Sequence, residues 1–139
     1  MSVTLLLITH DNIGSSILST ATNMMGVSPI VCHNLKITSQ MDIEQGYELA
    51  RAFCHTLGDN DELLIVTDIY GSTPSNIAAK LTEKRAPNKC LIVTGINLPM
   101  LVRIMNYAHL SLHDLAEKAC SSASDSIFIV NQTTDSVAK

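Results

Sequence analysis

Short, unbroken apolar runs alternate along this chain with stretches whose apolar positions recur at helical spacing. Val3 to Thr9 is the first run and reads as a buried strand. Ile13 to Met25 follows as a helix, with Ile13, Ile17, Leu18, Ala21 and Met24 along one face. Pro29 to Leu35 predicts a weaker strand, and Met41 to Leu57 a helix carrying Ile43, Tyr47, Ala50 and Cys54, with Asp42 and Glu44 favouring its N-terminal end. Glu62 to Thr67 is a third strand. Thr73 suits an N-cap and Pro74 a first helical position, so a helix is expected from there to about Lys84. Lys89 to Thr94 is a fourth strand, Pro99 opens a helix to about Tyr107, Ser111 to Ser121 predicts another, and Ser126 to Val130 a last short strand.

Strands that are apolar throughout and alternate with helices imply a mainly parallel sheet covered on both faces. The expected fold is an open three-layer α/β/α domain with strand order 2-1-3-4. The last strand is placed at an edge or against a second subunit.

The bulk numbers narrow the possibilities. A chain of 139 residues, 46% hydrophobic and 16% charged, fits one globular domain over 1–139 and is not the composition of a disordered segment. A net charge of −4 argues against nucleic acid as a partner. The N-terminal apolar run stops at His10-Asp11, too soon for a signal peptide or a membrane insertion. Cys32, Cys54, Cys90 and Cys120 form no CxxC pair and read as core thiols of a reducing compartment, hence a cytoplasmic protein.

Ligands of such sheets bind beyond the carboxyl ends of the strands. Three strand-end loops carry unusual combinations: Thr9 to Gly14, Thr67 to Pro74, and Thr94 to Leu101. With strands one and three adjacent, His10 and Asp68 end side by side. A carboxylate accepting the Nδ1 proton fixes the imidazole tautomer and leaves Nε2 free as a nucleophile. The turn Gly71-Ser72-Thr73-Pro74 offers backbone N–H groups at a helix N-terminus, suited to a phosphoryl group, with the Ser72 and Thr73 hydroxyls nearby. Taken singly, each feature has an ordinary reading: His10 a polar loop residue, Asp68 a turn or cap residue, Thr73-Pro74 a helix start. Their coincidence at one sheet edge favours a functional site. No cofactor or metal is required. His109 and His113 are spaced i, i+4, but Leu110-Ser111 interrupts that spacing and no third ligand is evident. His33 and His55 read as surface or structural residues, and Met24, Met25, Met100 and Met105 as core filler. Asn97, Pro99 and Met100, with Leu101, are candidates for a partner-docking surface beside His10.

The three loops resemble those of the mannose-family enzyme IIA components of the bacterial phosphoenolpyruvate-dependent sugar phosphotransferase system. That family has a strand ending in His-Gly, then Asp-x-x-Gly-Gly-Ser/Thr-Pro, then Gly-Val/Ile-Asn-Leu/Ile-Pro-Met-Leu. The counterparts are His10, Asp68 through Pro74, and Gly95 through Leu101, and the likeness covers roughly the first 110 residues. It implies a phosphotransferase of a membrane sugar-transport complex. His10 would be phosphorylated, Asp68 would orient it, the phosphocarrier protein HPr would be the donor, and an enzyme IIB the acceptor. It also implies a homodimer that exchanges a C-terminal strand, for which Ile127 to Val130 is the segment. Asp11 stands where the family usually has glycine, and Ser72 replaces the second glycine of the phosphate loop. Ser72 is expected to need a backbone outside the glycine-only region. Two other readings are a regulatory phosphohistidine protein uncoupled from sugar uptake and a non-catalytic α/β binding module.

Overall fold

Along the first strand, alternate side chains enter two different cores, and this is why the stretch from Leu5 to Ile8 is apolar without a break. The computed structural model describes residues 2–58 and 60–131. Its elements, in chain order, are β1 (Val3–His10), α1 (Ile13–Met25), β2 (Val31–Ile37), α2 (Ile43–Cys54) and β3 (Glu62–Thr67). They continue with α3 (Thr73–Thr82), β4 (Cys90–Thr94), α4 (Leu98–Asn106) and α5 (Leu112–Asp125). The sheet is parallel throughout, in the order β2-β1-β3-β4. Val3, Leu5 and Leu7 of β1 and Leu64 and Val66 of β3 join the core under α1, α4 and α5. Leu6, Ile8, Leu63 and Ile65 point the other way, under α2 and α3. The expected three layers and strand order are present.

Boundaries differ where burial is one-sided. β2 is an edge strand running Val31–Ile37, two residues later than the sequence pattern placed it, and its outer residues are exposed. Helix α2 starts at Ile43 under a capping box: the Asp42 carboxylate accepts from the Gln45 N–H at 2.8 Å, and the Gln45 side chain accepts from the Asp42 N–H at 3.0 Å. Helix α5 continues to Asp125, past the expected end at Ser121, through a serine- and alanine-rich stretch with no breaker.

The short strand expected over Ser126 to Val130 is a correction. Ser126 caps α5, and among the described residues the sheet has four strands, none of which includes this segment. Ile127, Phe128, Ile129 and Val130 are instead exposed, at 75%, 61%, 59% and 81%. The β-propensity of the run is local, whereas a strand needs a neighbouring ladder, and among the described residues this segment pairs with none.

No helix among the described residues is long and apolar enough to cross a membrane.

Candidate functional site

The register of β1 against β3 pairs Ile8 with Thr67, so the residues just beyond them, His10 and Asp68, emerge at the same sheet edge. Asp68 Oδ2 accepts two hydrogen bonds from His10: one from its backbone N–H at 2.9 Å and one from Nδ1 at 2.8 Å. Oδ1 accepts from the Ile69 N–H at 3.0 Å. An ionised carboxylate only accepts, so Nδ1 carries the ring proton and Nε2 is left with its lone pair. The Asp68 side chain is 9% exposed and that of His10 42%. Burial pushes the Asp68 carboxyl up, but the bonds from the His10 N–H and imidazole outweigh it and hold the group below the ordinary aspartate value. The carboxylate is therefore fixed and charged while the imidazole faces outward.

After Asp68 the chain makes a turn that only glycine enters easily. Gly71 has φ +86°. Ser72 is extended at φ −92°, ψ 178° and is the N-cap residue of α3, one position earlier than the sequence reading, which gave that place to Thr73. Its hydroxyl donates to the Ile69 carbonyl at 2.7 Å and closes the turn, so it does not bond to the helix N–H groups. The first intrahelical bond runs from the Asn76 N–H to the Ser72 carbonyl. The N–H groups of Thr73 and Ser75 precede it, and with the helix dipole they give this end of α3 anion-binding character. Ser72 thus fits without strain. The strained departure is Asp11, whose φ of +45° is left-handed and whose N–H donates to the Ile37 carbonyl at 3.0 Å.

The third loop is tied inward. The N–H groups of Gly95 and Ile96 donate to the Thr67 carbonyl at 3.0 and 3.1 Å. Asn97 caps α4 by accepting from the Met100 N–H at 3.0 Å, and its amide donates to the Ala123 carbonyl of α5 at 3.3 Å. Met100 is 1% exposed and Leu101 fully buried. This corrects the docking expectation for those two side chains: both sit in the core under α4. Asn97 and Pro99 remain half-buried beside the loop. The apolar side chains that do face solvent near the site are Ile13 at 44%, Ile69 at 61% and Tyr70 at 82% exposed. Sequence reasoning passed over Ile69 and Tyr70, and it placed Ile13 on the apolar face of its helix, where the structure leaves it exposed at the first turn. The signal at Ile69 and Tyr70 was large apolar residues in a loop.

Other candidates disperse. His109 precedes α5 and His113 lies within it, paired with Glu117 at 2.8 Å, so the two do not share one helical face. Among the described residues no group of three potential ligands is placed to hold a metal. His33 stacks on Phe53, with ring centroids 4.3 Å apart. Of the cysteines, Cys90 is buried and Cys32 and Cys54 are half-buried. Cys120 is exposed, which corrects its placement as a core thiol: it falls on the outer side of α5.

Fold and site together define an open α/β protein that presents, at the carboxyl edge of its sheet, an imidazole oriented by a buried carboxylate. The chain belongs to the PTS system fructose IIA component family, of the mannose type, whose sequence profile matches residues 4–120. Solved structures share the fold. The mannose/sorbose-specific IIA subunit of the phosphotransferase system from Enterococcus faecalis superposes with a TM-score of 0.85 at 19% identity, covering 95% of this chain and 97% of that one. The PTS IIA protein associated with the fucose utilization operon of Streptococcus pneumoniae has a TM-score of 0.79 at 25% identity, covering 95% and 96%. A phosphotransferase system component EIIA from Streptococcus agalactiae has a TM-score of 0.78 at 23% identity, covering 91% and 96%.

Proposed function

We propose that this IIA component is a cytoplasmic phosphoryl carrier: His10 Nε2 accepts a phosphoryl group from HPr and passes it to an enzyme IIB. The observation that carries the reading is the double hold of Asp68 Oδ2 on the His10 backbone and ring. The donor's N–P bond breaks as the Nε2–P bond forms. The His10 ring becomes more positive at that moment, and its Nδ1 proton stays on the bond to Asp68, whose fixed charge stabilises it. The metaphosphate-like transition state needs positioning and dispersed positive charge more than covalent help. The N–H groups at Thr73 and Ser75 supply the latter, and Gly71 and Ser72 shape the turn that presents them. Ile13, Ile69 and Tyr70 form an apolar rim against which a partner protein can seat, beside Asn97 and Pro99.

The exposed Ile127–Val130 run supports a homodimer in which this segment pairs with the other subunit. Edge strand β4 is the place for it, with Ile92 36% exposed.

Incubation with labelled phosphoenolpyruvate, enzyme I and HPr tests the phosphoryl step. Wild type is expected to acquire an acid-labile, alkali-stable label that enzyme IIB removes, and His10→Ala to acquire none. An unlabelled wild type, or a labelled His10→Ala, would sink the assignment.

A further inference from the structure

At the opposite end of the sheet from His10, where β3 and β4 begin, the ends of α2 and α3 enclose a cavity of about 600 Å³. Strand β3 separates the two ends by about 17–20 Å, from its six residues at about 3.3 Å each. The walls carry Arg51, Lys84, Arg85 and Lys89, with His55 and the ring of Tyr47, and among the described residues no carboxylate lines the cavity. Two acids of the flanking segments are engaged: Glu48 holds Arg51 through two bonds of 3.0 Å, and the Asp61 carboxylate accepts the Gly58 N–H at 2.7 Å.

Helix dipoles account for part of this charge. Arg51 lies in the last turn of α2, where a cation is favoured. Lys84, Arg85 and Lys89 lie beyond the end of α3, whose own last-turn cation is Lys80.

Arg85 is the informative residue. One of its terminal nitrogens donates to the Asp61 carbonyl at 2.8 Å, which anchors one end of the guanidinium. Its Nε is buried without a hydrogen-bond partner. A buried N–H left unmade costs about 1–3 kcal/mol, more on a charged group, so Arg85 gains by turning Nε toward an acceptor oxygen held in the cavity. Arg85 also stands close to two thiols, Cys54 and Cys90. Burial raises both, and the Arg85 charge pulls in the opposite direction. Its surroundings are thus partly apolar, which strengthens a charge-assisted bond. Leu57 and Leu81 add apolar wall, and the volume is that of a small-molecule site.

We infer that this cavity binds a small phosphate monoester, with Arg85, Arg51 and Lys84 on the phosphoryl group and Tyr47, Leu57 and Leu81 against its carbon skeleton. The site is separate from His10 and requires no phosphoryl transfer.

Titrating the full chain with glucose 6-phosphate, inorganic phosphate and glucose, followed by nitrogen-edited NMR, tests the inference. Glucose 6-phosphate is expected to shift the Arg85 Nε–H and the amides of residues 81–86 saturably, inorganic phosphate to compete, and glucose to do nothing. Arg85→Gln should weaken binding by about tenfold or more, the usual loss for a charge-assisted bond. Lys84→Gln, a solvent-facing change that spares the fold, should weaken it by a smaller factor. Absence of saturable shifts here overturns the inference, as do shifts confined to the surroundings of His10 or equal shifts with glucose. Unchanged affinity in Lys84→Gln together with a folded Arg85→Gln does so as well.

Discussion

One oxygen of Asp68 organises His10, because it holds both the backbone and the ring. Asp68→Asn keeps the size and removes the charge, and an amide presents a donor as readily as an acceptor to Nδ1. Phosphorylation of His10 is expected to slow by about 10²- to 10⁴-fold, the upper figure being that seen when a carboxylate orienting a catalytic imidazole is neutralised. The initial rate of label incorporation measures it. The same residue couples to acid stability. Its folded pKa is depressed, so its contribution is complete above the unfolded aspartate value of about 3.9 and is lost as pH falls through the lower folded value. Urea unfolding followed from pH 6 down should therefore lose less stability in Asp68→Asn than in wild type. Asp11 sets a different balance. A non-glycine residue at φ +45° is strained by about 1 kcal/mol, less for aspartate than for most. Asp11→Gly should raise the urea midpoint, by up to about 1 kcal/mol of stability, and an unchanged or lowered midpoint would count against strain at this position.

Each element end that matters is fixed by a local device, and these devices were unequally legible. The Asp42–Gln45 box fixes the start of α2. Asp42→Ala should cost about 1 kcal/mol, read from thermal or denaturant unfolding, because the Gln45 N–H loses its partner. The sequence showed the acidic start but put it at Met41. Strands β1 and β3 were legible almost to the residue, since burial on both faces leaves an unbroken apolar run with sharp polar ends. Edge strand β2 was not: with three of its seven residues exposed, hydrophobicity does not mark its boundaries. At the start of α3 the motif Gly71 to Pro74 was recognisable, but which of its residues is left-handed was not. Ser72 was expected to need a backbone outside the glycine-only region and has one, because the turn places the left-handed conformation on Gly71; its counterpart after β1, on Asp11, gave no such signal. Backbone dihedrals depend on how the chain leaves a strand, and residue type alone constrains that only weakly.

Across the whole molecule the two ends of the sheet carry different electrostatics: an anion-receptive helix start beside His10, and a cluster of basic side chains where β3 and β4 begin. The Ile127–Val130 segment is a run of four exposed apolar residues that the described residues leave uncovered. Truncation after Ser126 is expected to give a monomer in sedimentation velocity where the full chain gives a dimer, with little loss of fold, since the core excludes this segment. A full-length chain that sediments as a monomer would end the exchange proposal. The sequence by itself determined the alternation of strands and helices, the parallel sheet, and the presence of His10 and Asp68 at strand ends, because burial on two faces writes itself directly into composition. Only the tertiary structure decided that one Asp68 oxygen takes both His10 bonds, since that depends on the register of β1 against β3. It also decided that Met100 packs inward while Ile69 and Tyr70 face solvent, and that Arg51 and Arg85, far apart in the chain, share one cavity. These are relations between elements, set by how their faces pack together, and no local pattern of residues encodes them.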